Sequence, residues 1–196
     1  MPRKIIGILG DIGAGKSTVA EYLEKKHGFS SYAFADPLKK IGEIFYFTKS
    51  ELYGTQQEKL EINKHHGISG REFMEKFGTD IVREALPKVL PSMAHLWVRL
   101  FEIYLKENSV ANVVIGDVRF PDEAKTIREQ GGILIKIVRP NVSEEIRRKE
   151  SRVEQEKHKI TPDIEILNHG NLGDLYKNID ITIQLLFEEN TDRAVK

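Results

Sequence analysis

The stretch Gly10–Ser17, GDIGAGKS, constrains the fold more than any other part of the chain. It satisfies G-x-x-x-x-G-K-[ST] at every fixed position, follows the apolar run Ile5–Leu9, and leads into Val19, Ala20 and Leu23 at helical spacing. A glycine-rich loop between a strand and a helix brings successive backbone N–H groups and the helix N-terminus into one concavity suited to a polyphosphate. Gly10, Gly13 and Gly15 permit backbone angles and close approach that a Cβ would block. In such a loop Lys16 reaches the β- and γ-phosphates and the Ser17 hydroxyl ligates Mg2+. The motif therefore predicts a nucleoside triphosphate site built from Gly10, Gly13, Ala14, Gly15, Lys16, Ser17 and Thr18.

The remaining apolar runs alternate with helical patterns. Strands are expected at Lys4–Leu9, Phe29–Ala35, Val110–Gly116, Ile133–Val138 and Ile164–Leu167. Helices are expected from Lys16 to Lys26, stopped at Gly28, then from Leu38 to Phe47 after Asp36-Pro37, and over Asp122–Gln130. A charged helix follows over about Ser143–Lys157, and a last one carries Leu172, Leu175, Tyr176, Ile179 and Ile183. Such alternation predicts a three-layer α/β fold, a five-stranded parallel sheet with helices on both faces. Between Thr48 and Pro91 the strand signal disappears. Ser69-Gly70-Arg71-Glu72 has capping-box spacing before a helix expected to break near Gly78. Another helix is expected from a Ser92 cap, because Met93, Leu96, Trp97, Leu100, Phe101 and Tyr104 recur at i, i+3, i+4, i+7, i+8 and i+11. The expected organisation is one domain over 1–196, with a core of about 1–47 and 108–187, a helical insertion of about 48–107, and a lid of about 140–160.

Thirty basic residues balance thirty acidic ones, so no global field favours a nucleic acid polymer or an anionic membrane, although a local basic pocket is compatible with this balance. The absence of cysteine excludes disulfides, thiol nucleophiles and thiolate metal sites, and suits a reducing compartment. No run approaches the roughly 20 apolar residues of a spanning helix. A soluble cytoplasmic protein without membrane partners is expected. The sequence allows a homodimer without indicating one.

Ligands of parallel sheets bind outside the carboxyl ends of the strands. Three stretches should meet there: the glycine-rich loop, Asp36-Pro37-Leu38-Lys39, and Asp117-Val118-Arg119. Asp117 is placed to orient Mg2+ or its bound water, to hold a substrate hydroxyl, or simply to end a strand in a turn. Arg119 is placed to clamp a phosphate or to form a surface ion pair. Arg71 opens a helix against the dipole, a broken local rule that often reflects a ligand. Trp97, the only tryptophan, lies on an apolar helix face, where core packing accounts for it by pattern alone.

Taken together, GDIGAGKST, YAFADPLKK, ISGREFMEKFGTDIVRE, LWVRLFEIYL, VVIGDVRFPDEAKTIREQGGILIKIVRP and a weaker DIEILNHGNLGDL resemble the viral deoxynucleoside monophosphate kinases, a branch of the P-loop nucleoside monophosphate kinases. The resemblance runs through most of the chain in order. The block R-x-x-M-x-x-x-G-T-D, then W-V, then D-V-R-F-P-x-E-A is far more selective than the loop motif. It implies transfer of a phosphoryl group from ATP, with Mg2+, to a deoxynucleoside monophosphate in a cytoplasm, the host's if the source is viral. By this similarity Lys16, Ser17 and the loop glycines hold the donor. Arg71, Gly78, Thr79, Trp97, Asp117, Arg119 and Glu123 match the acceptor site, and Leu38-Lys39 matches its P-x-K segment. Trp97 becomes a base or sugar contact. Lys16, Arg71, Arg119 and Asp117 become the catalytic set, and Ser17 and Asp117, the latter through water, the metal set. Two positions depart from the family pattern: Glu72 stands where a basic residue is usual, and His158-Lys159-Ile160-Thr161 lacks H-x-S-E. Arg147, Arg148 and Arg152 of the charged helix are candidates for closing over the phosphates.

Three other readings compete with this one. A dephospho-coenzyme A kinase would share the loop and fold without needing the Arg71–Thr79 or Asp117–Glu123 blocks. A regulatory GTPase is disfavoured, since Asn63-Lys64-His65-His66 lacks the acid of N-K-x-D and no D-x-x-G follows a strand in place. A non-catalytic nucleotide module is disfavoured by the intact Lys16-Ser17 pair with Asp117.

Overall fold

The computed structural model describes residues 3–109, 112–140 and 156–192, the side chains of 188–192 excepted. The chain divides into two compact units, one formed by Met1–Tyr32 and Val110–Lys196, the other by Ala33–Ser109.

The first unit is the expected parallel sheet. Its strands β1 (Lys4–Gly10), β2 (Ser30–Tyr32), β3 (Asn112–Ile115), β4 (Ile133–Val138) and β5 (Ile164–Leu167) lie in the order β2-β3-β1-β4-β5, all parallel. β1 is central and buried from Ile5 to Gly10. Residues of a strand alternate between faces, so both faces of β1 need cover. Ile6 and Ile8 join Val19, Leu23, Val114, Ile135, Ile137, Leu175 and Ile179 in one core beneath the helices α1 (Lys16–His27) and α8 (Leu172–Asp192). On the other face Gly7 lies so close to its neighbours that an added Cβ would sit 2.8 Å from Ile127 and from Leu134. Ile127 belongs to the helix α7 (Pro121–Glu129), and β1 is thus covered on both sides.

β2 is shorter than the apolar run Phe29–Ala35 because its ends are claimed by turns. α1 stops at Gly28 (φ 66°), and Phe29 donates its N–H to Leu23 O rather than to a neighbouring strand. At the other end Asp36 N–H bonds Ala33 O, which starts the next helix. The last helix continues to Asp192, nine residues beyond Ile183, the last apolar position its pattern supplies. It is fastened to α1 by Asp180, which accepts from Tyr22 and Lys26 and pairs with His27 at 2.8 Å. Of the expected charged helix, residues 143–155, with Arg147, Arg148 and Arg152, lie outside the described residues.

The second unit is helical: α2 (Asp36–Ile44), α3 (Lys49–Tyr53), α4 (Gly70–Glu75), a π-helical stretch Lys76–Ala85, α5 (Leu86–Val89) and α6 (Leu96–Glu107). α2 ends three residues before the predicted Phe47 because Tyr46 adopts φ 62° and Phe47 N–H reaches back to Gly42 O, a Schellman closure with tyrosine where glycine is usual. Thr48 and Glu51 form a reciprocal capping box. Ser69 caps α4 as its spacing predicts, accepting from Glu72 N–H at 3.1 Å. The expected break near Gly78 is instead an uninterrupted passage into π-helix, which widens the turn without ending it. Ser92 lies in a 3-10 turn, Pro91–Met93, and α6 starts later, after His95 at φ 55°.

Candidate active site

The phosphate loop leaves β1 at Gly10 and enters α1 at Lys16. Gly10 has φ 146°, and a Cβ there would sit 2.6 Å from Ile137 O of the neighbouring strand. Gly15 has φ 105°, and a Cβ there would meet Asn168 Nδ2 at 2.9 Å. Both positions thus exclude a side chain by conformation and by contact. Gly15 is also the N-cap of α1, and no side chain caps the helix. An N-terminus left this way directs its amides and partial positive charge at an incoming anion. Lys16 Nζ donates to Gly10 O and to Asp11 O, each at 2.8 Å, so its side chain folds back over the loop it serves. Ser17 is exposed beside it, and Thr18 is half-buried.

β3 pairs with β1 in parallel register, Gly7 opposite Ile115, so Asp117 leaves the sheet at the same edge as the loop. Asp117 is half-buried and the Arg119 side chain is exposed. Glu123 is 2% exposed, and its Oε2 accepts from Arg119 N–H at 2.8 Å and from Phe120 N–H at 3.1 Å. It caps α7 and fixes the backbone that carries Arg119.

Side chains outside the motif also reach the loop. Asn168 donates to Ala14 O at 2.9 Å, Arg139 lies 3.4 Å from Gly13 O, and Lys157 Nζ pairs with Asp11 Oδ1 at 2.9 Å. Arg139 and Lys157 thus bring two further cations to the loop beside Lys16, and Asp11 pairs with one of them. Arg139 and Asn168 directly follow β4 and β5, so the strand-end rule that singles out Asp117 singles them out equally. Lys157 carries no such local mark.

The second unit gathers four of the remaining candidates. Leu38, Gly78, Thr79 and Trp97 are all buried. A Cβ on Gly78 would meet Leu38 Cδ2 at 2.5 Å, and the indole N–H of Trp97 donates to Gly78 O at 3.1 Å. Trp97 is only 5% exposed, as core packing requires. Lys39 pairs with Asp36 at 3.0 Å and lies over the Tyr53 ring. The Tyr53 hydroxyl is pushed up to about 12, by partial burial first and then by the Glu43 carboxylate. Arg71 stands in the first turn of α4 and bonds Gln56 Oε1 at 3.2 Å. Glu72, the acid in place of a basic residue, pairs with Lys76 at 2.9 Å.

A parallel sheet of this order, with a phosphate loop between β1 and α1, defines a P-loop kinase fold. The gluconokinase of Sinorhizobium meliloti 1021 has the same fold, with a TM-score of 0.53 at 11% identity over 98% of this chain and 97% of that one. Residues 46–179 match the deoxynucleotide monophosphate kinase family. A putative deoxynucleotide monophosphate kinase of Acanthamoeba polyphaga mimivirus is 36% identical over 182 residues, 89% of this chain and 93% of the relative. A dephospho-CoA kinase of Fusobacterium nucleatum is 29% identical over 189 residues, 90% of this chain and 95% of that relative. The chain belongs to the deoxynucleotide monophosphate kinase family and is accordingly a nucleoside monophosphate kinase, a phosphotransferase acting on a small nucleotide substrate. Among the described residues, no helix is long and apolar enough to cross a membrane.

Proposed function

We propose that the chain transfers the γ-phosphoryl group of ATP to a 2′-deoxynucleoside monophosphate, giving the deoxynucleoside diphosphate and ADP. The observation that carries the donor half is the loop: a helix N-terminus capped only by Gly15, with Lys16 folded over it. The loop amides and Lys16 bind the donor phosphates, and Lys16 exchanges its bonds to Gly10 O and Asp11 O for phosphate oxygens. The donor set also fits Mg2+. Among the described residues no group of three or more His, Asp or Glu side chains is gathered for a metal. A hydroxyl and one carboxylate suit an ion that is otherwise held by substrate phosphates and water, as Mg2+ is. Ser17 would hold it directly and Asp117 through water, and the ion would neutralise charge on the donor phosphates.

Arg119 and Arg71 are the cations proposed for the transferring phosphoryl group and the acceptor phosphate, with Lys39 beside the acceptor. Little covalent chemistry falls to the protein in such a transfer, so positioning and charge neutralisation dominate. Glu123 acts through the backbone of Arg119, and Trp97 acts by holding Gly78 and Thr79 in place. Exclusion of a 2′-hydroxyl then rests on a buried wall of Leu38, Gly78 and Trp97 that offers the hydroxyl few partners, a penalty of about 1–3 kcal/mol for an unpaired polar group.

The test is an ATP-coupled assay across all deoxy- and ribonucleoside monophosphates, with dephospho-coenzyme A as a further acceptor. A deoxynucleotide is expected to be preferred over its ribo counterpart by roughly tenfold to a hundredfold in kcat/KM. Equal use of ribonucleotides would remove the deoxy assignment, and preference for dephospho-coenzyme A would move the acceptor class.

A further inference from the structure

Lys157 belongs neither to the loop motif nor to the family blocks, yet it is built into the phosphate loop. Its side chain is 8% exposed, and its ammonium lies 2.9 Å from Asp11 Oδ1 and 3.5 Å from Gly10 O. An ammonium so far removed from water is held by charged and polar partners, because leaving it unpaired is strongly unfavourable. Lys16 donates to the same Gly10 carbonyl at 2.8 Å and to Asp11 O at 2.8 Å. Two ammonium groups therefore converge on one peptide of the loop. Their tethers differ: Lys16 opens α1 and bonds these two backbone carbonyls, whereas Lys157 also grips a side chain of the loop itself.

That side chain is a carboxylate at the second position of a phosphate-binding loop. A negative charge there opposes a triphosphate unless it is turned aside and countered, since like charges at a few ångströms in a partly buried site repel strongly. We propose that Lys157 is a positioning residue for the donor. It holds the Asp11 carboxylate away from the phosphate cradle, and it keeps the Gly10–Asp11 peptide in place when Lys16 exchanges its carbonyls for phosphate. The inference rests on the reading that the loop binds the donor triphosphate.

The experiment measures Mg-ATP binding by calorimetry without acceptor, together with steady-state kinetics, for Lys157→Met, Lys157→Arg, Asp11→Asn, the Lys157→Met/Asp11→Asn double variant, and Lys16→Met. Lys157→Met is expected to weaken ATP binding and raise its KM at least tenfold, with the acceptor KM moving less than threefold. Lys157→Arg should stay within about threefold of the unchanged protein, and Asp11→Asn in the Met background should recover most of the loss, because the charge to be held aside is gone. Neutralising Asp11 would also relieve an unpaired charge in a purely structural pair, so melting curves without nucleotide separate the roles. A purely structural lysine lowers Tm in Lys157→Met and regains it in the double variant while ATP affinity of the folded protein stays unchanged, a result that overturns the proposal. Normal ATP binding by Lys157→Met, or a folded double variant without recovery, overturns the proposal. If Lys157→Met does not fold, Asp11→Asn alone decides: it should bind ATP at least as well as the unchanged protein, and weaker binding overturns the idea. Lys16→Met separates the two readings. Normal turnover by Lys16→Met would sink the triphosphate site itself, whereas its loss alongside a normal Lys157→Met sinks only the role of Lys157.

Discussion

Replacing Trp97 by phenylalanine tests the proposal that the helical unit shapes the acceptor side. The indole is 5% exposed, and its N–H is bonded to Gly78 O at 3.1 Å, where Gly78 also lies close against Leu38. Phenylalanine keeps one ring but loses the donor and the remainder of the bicycle. The lost hydrogen bond is worth about 0.5–1.5 kcal/mol net. The missing ring atoms add about 1–2 kcal/mol at about 0.8 kcal/mol per buried methylene-sized group. The sum, about 1.5–3.5 kcal/mol, corresponds to a fall in Tm of about 3–14 °C for a chain of this size. Circular dichroism against temperature and urea measures it, since the variant has lost its only tryptophan. With Gly78 and Thr79 less well held, acceptor kcat/KM should drop about tenfold, equivalent to about 1.4 kcal/mol, while the ATP KM stays put. A Tm within about 1 °C of the unchanged protein would refute the hydrogen-bonded packing argument. An altered ATP KM with normal acceptor kinetics would refute the assignment of this group to the acceptor.

Tyr46→Gly should stabilise the protein by about 1 kcal/mol, because Tyr46 holds φ 62° at the end of α2 while its side chain is 77% exposed; a lower urea midpoint would show that the ring contributes more than its conformation costs. Glu51 gives a pH signature. Burial alone would raise its pKa, but bonds from Thr48 N–H and Asn63 Nδ2 outweigh it and leave the carboxyl below its usual value. A depressed carboxyl stabilises the fold fully above its unfolded value, about pH 4.3, and loses that contribution as pH falls through its folded pKa. Between pH 7 and pH 3.5 the urea midpoint should therefore fall further for the unchanged protein than for Glu51→Gln, and equal slopes would exclude Glu51 as a source.

The parts of the fold legible in the sequence are those where one local signal decides. Ile133–Val138 and Ile164–Leu167 are strands over the residues their apolar runs predict, and α1 runs between a loop glycine and a cap glycine as its pattern requires. Boundaries shift where two local signals compete. Phe29 reads as strand, but its N–H completes the end of α1, and Ala33 begins the turn into α2. Gly78 reads as a helix breaker, yet a π-helical turn tolerates it, and the close approach of Leu38 and Trp97 supplies a reason for having no side chain there. Ser92 reads as a cap, but Pro91 favours a 3-10 turn and the helix begins only after His95.

The site divides along the same line. Lys16 and Ser17 belong to a contiguous motif, and Asp117 follows directly from the end of a strand. Arg139 and Asn168 follow from that same rule once β4 and β5 are given the weight accorded to β3. Lys157 is different in kind. Its partner Asp11 is 146 residues away in the chain, and the two meet because β1 and β4 are neighbours in the sheet and Lys157 lies between β4 and β5 in sequence. A charged stretch such as Glu154–Lys159 reads locally as a solvated surface, and nothing in its spacing marks one lysine as buried. Contacts created by topology rather than by spacing carry no local pattern. A residue such as Lys157 that contacts a P-loop from outside its motif is therefore visible only after the sheet is assembled.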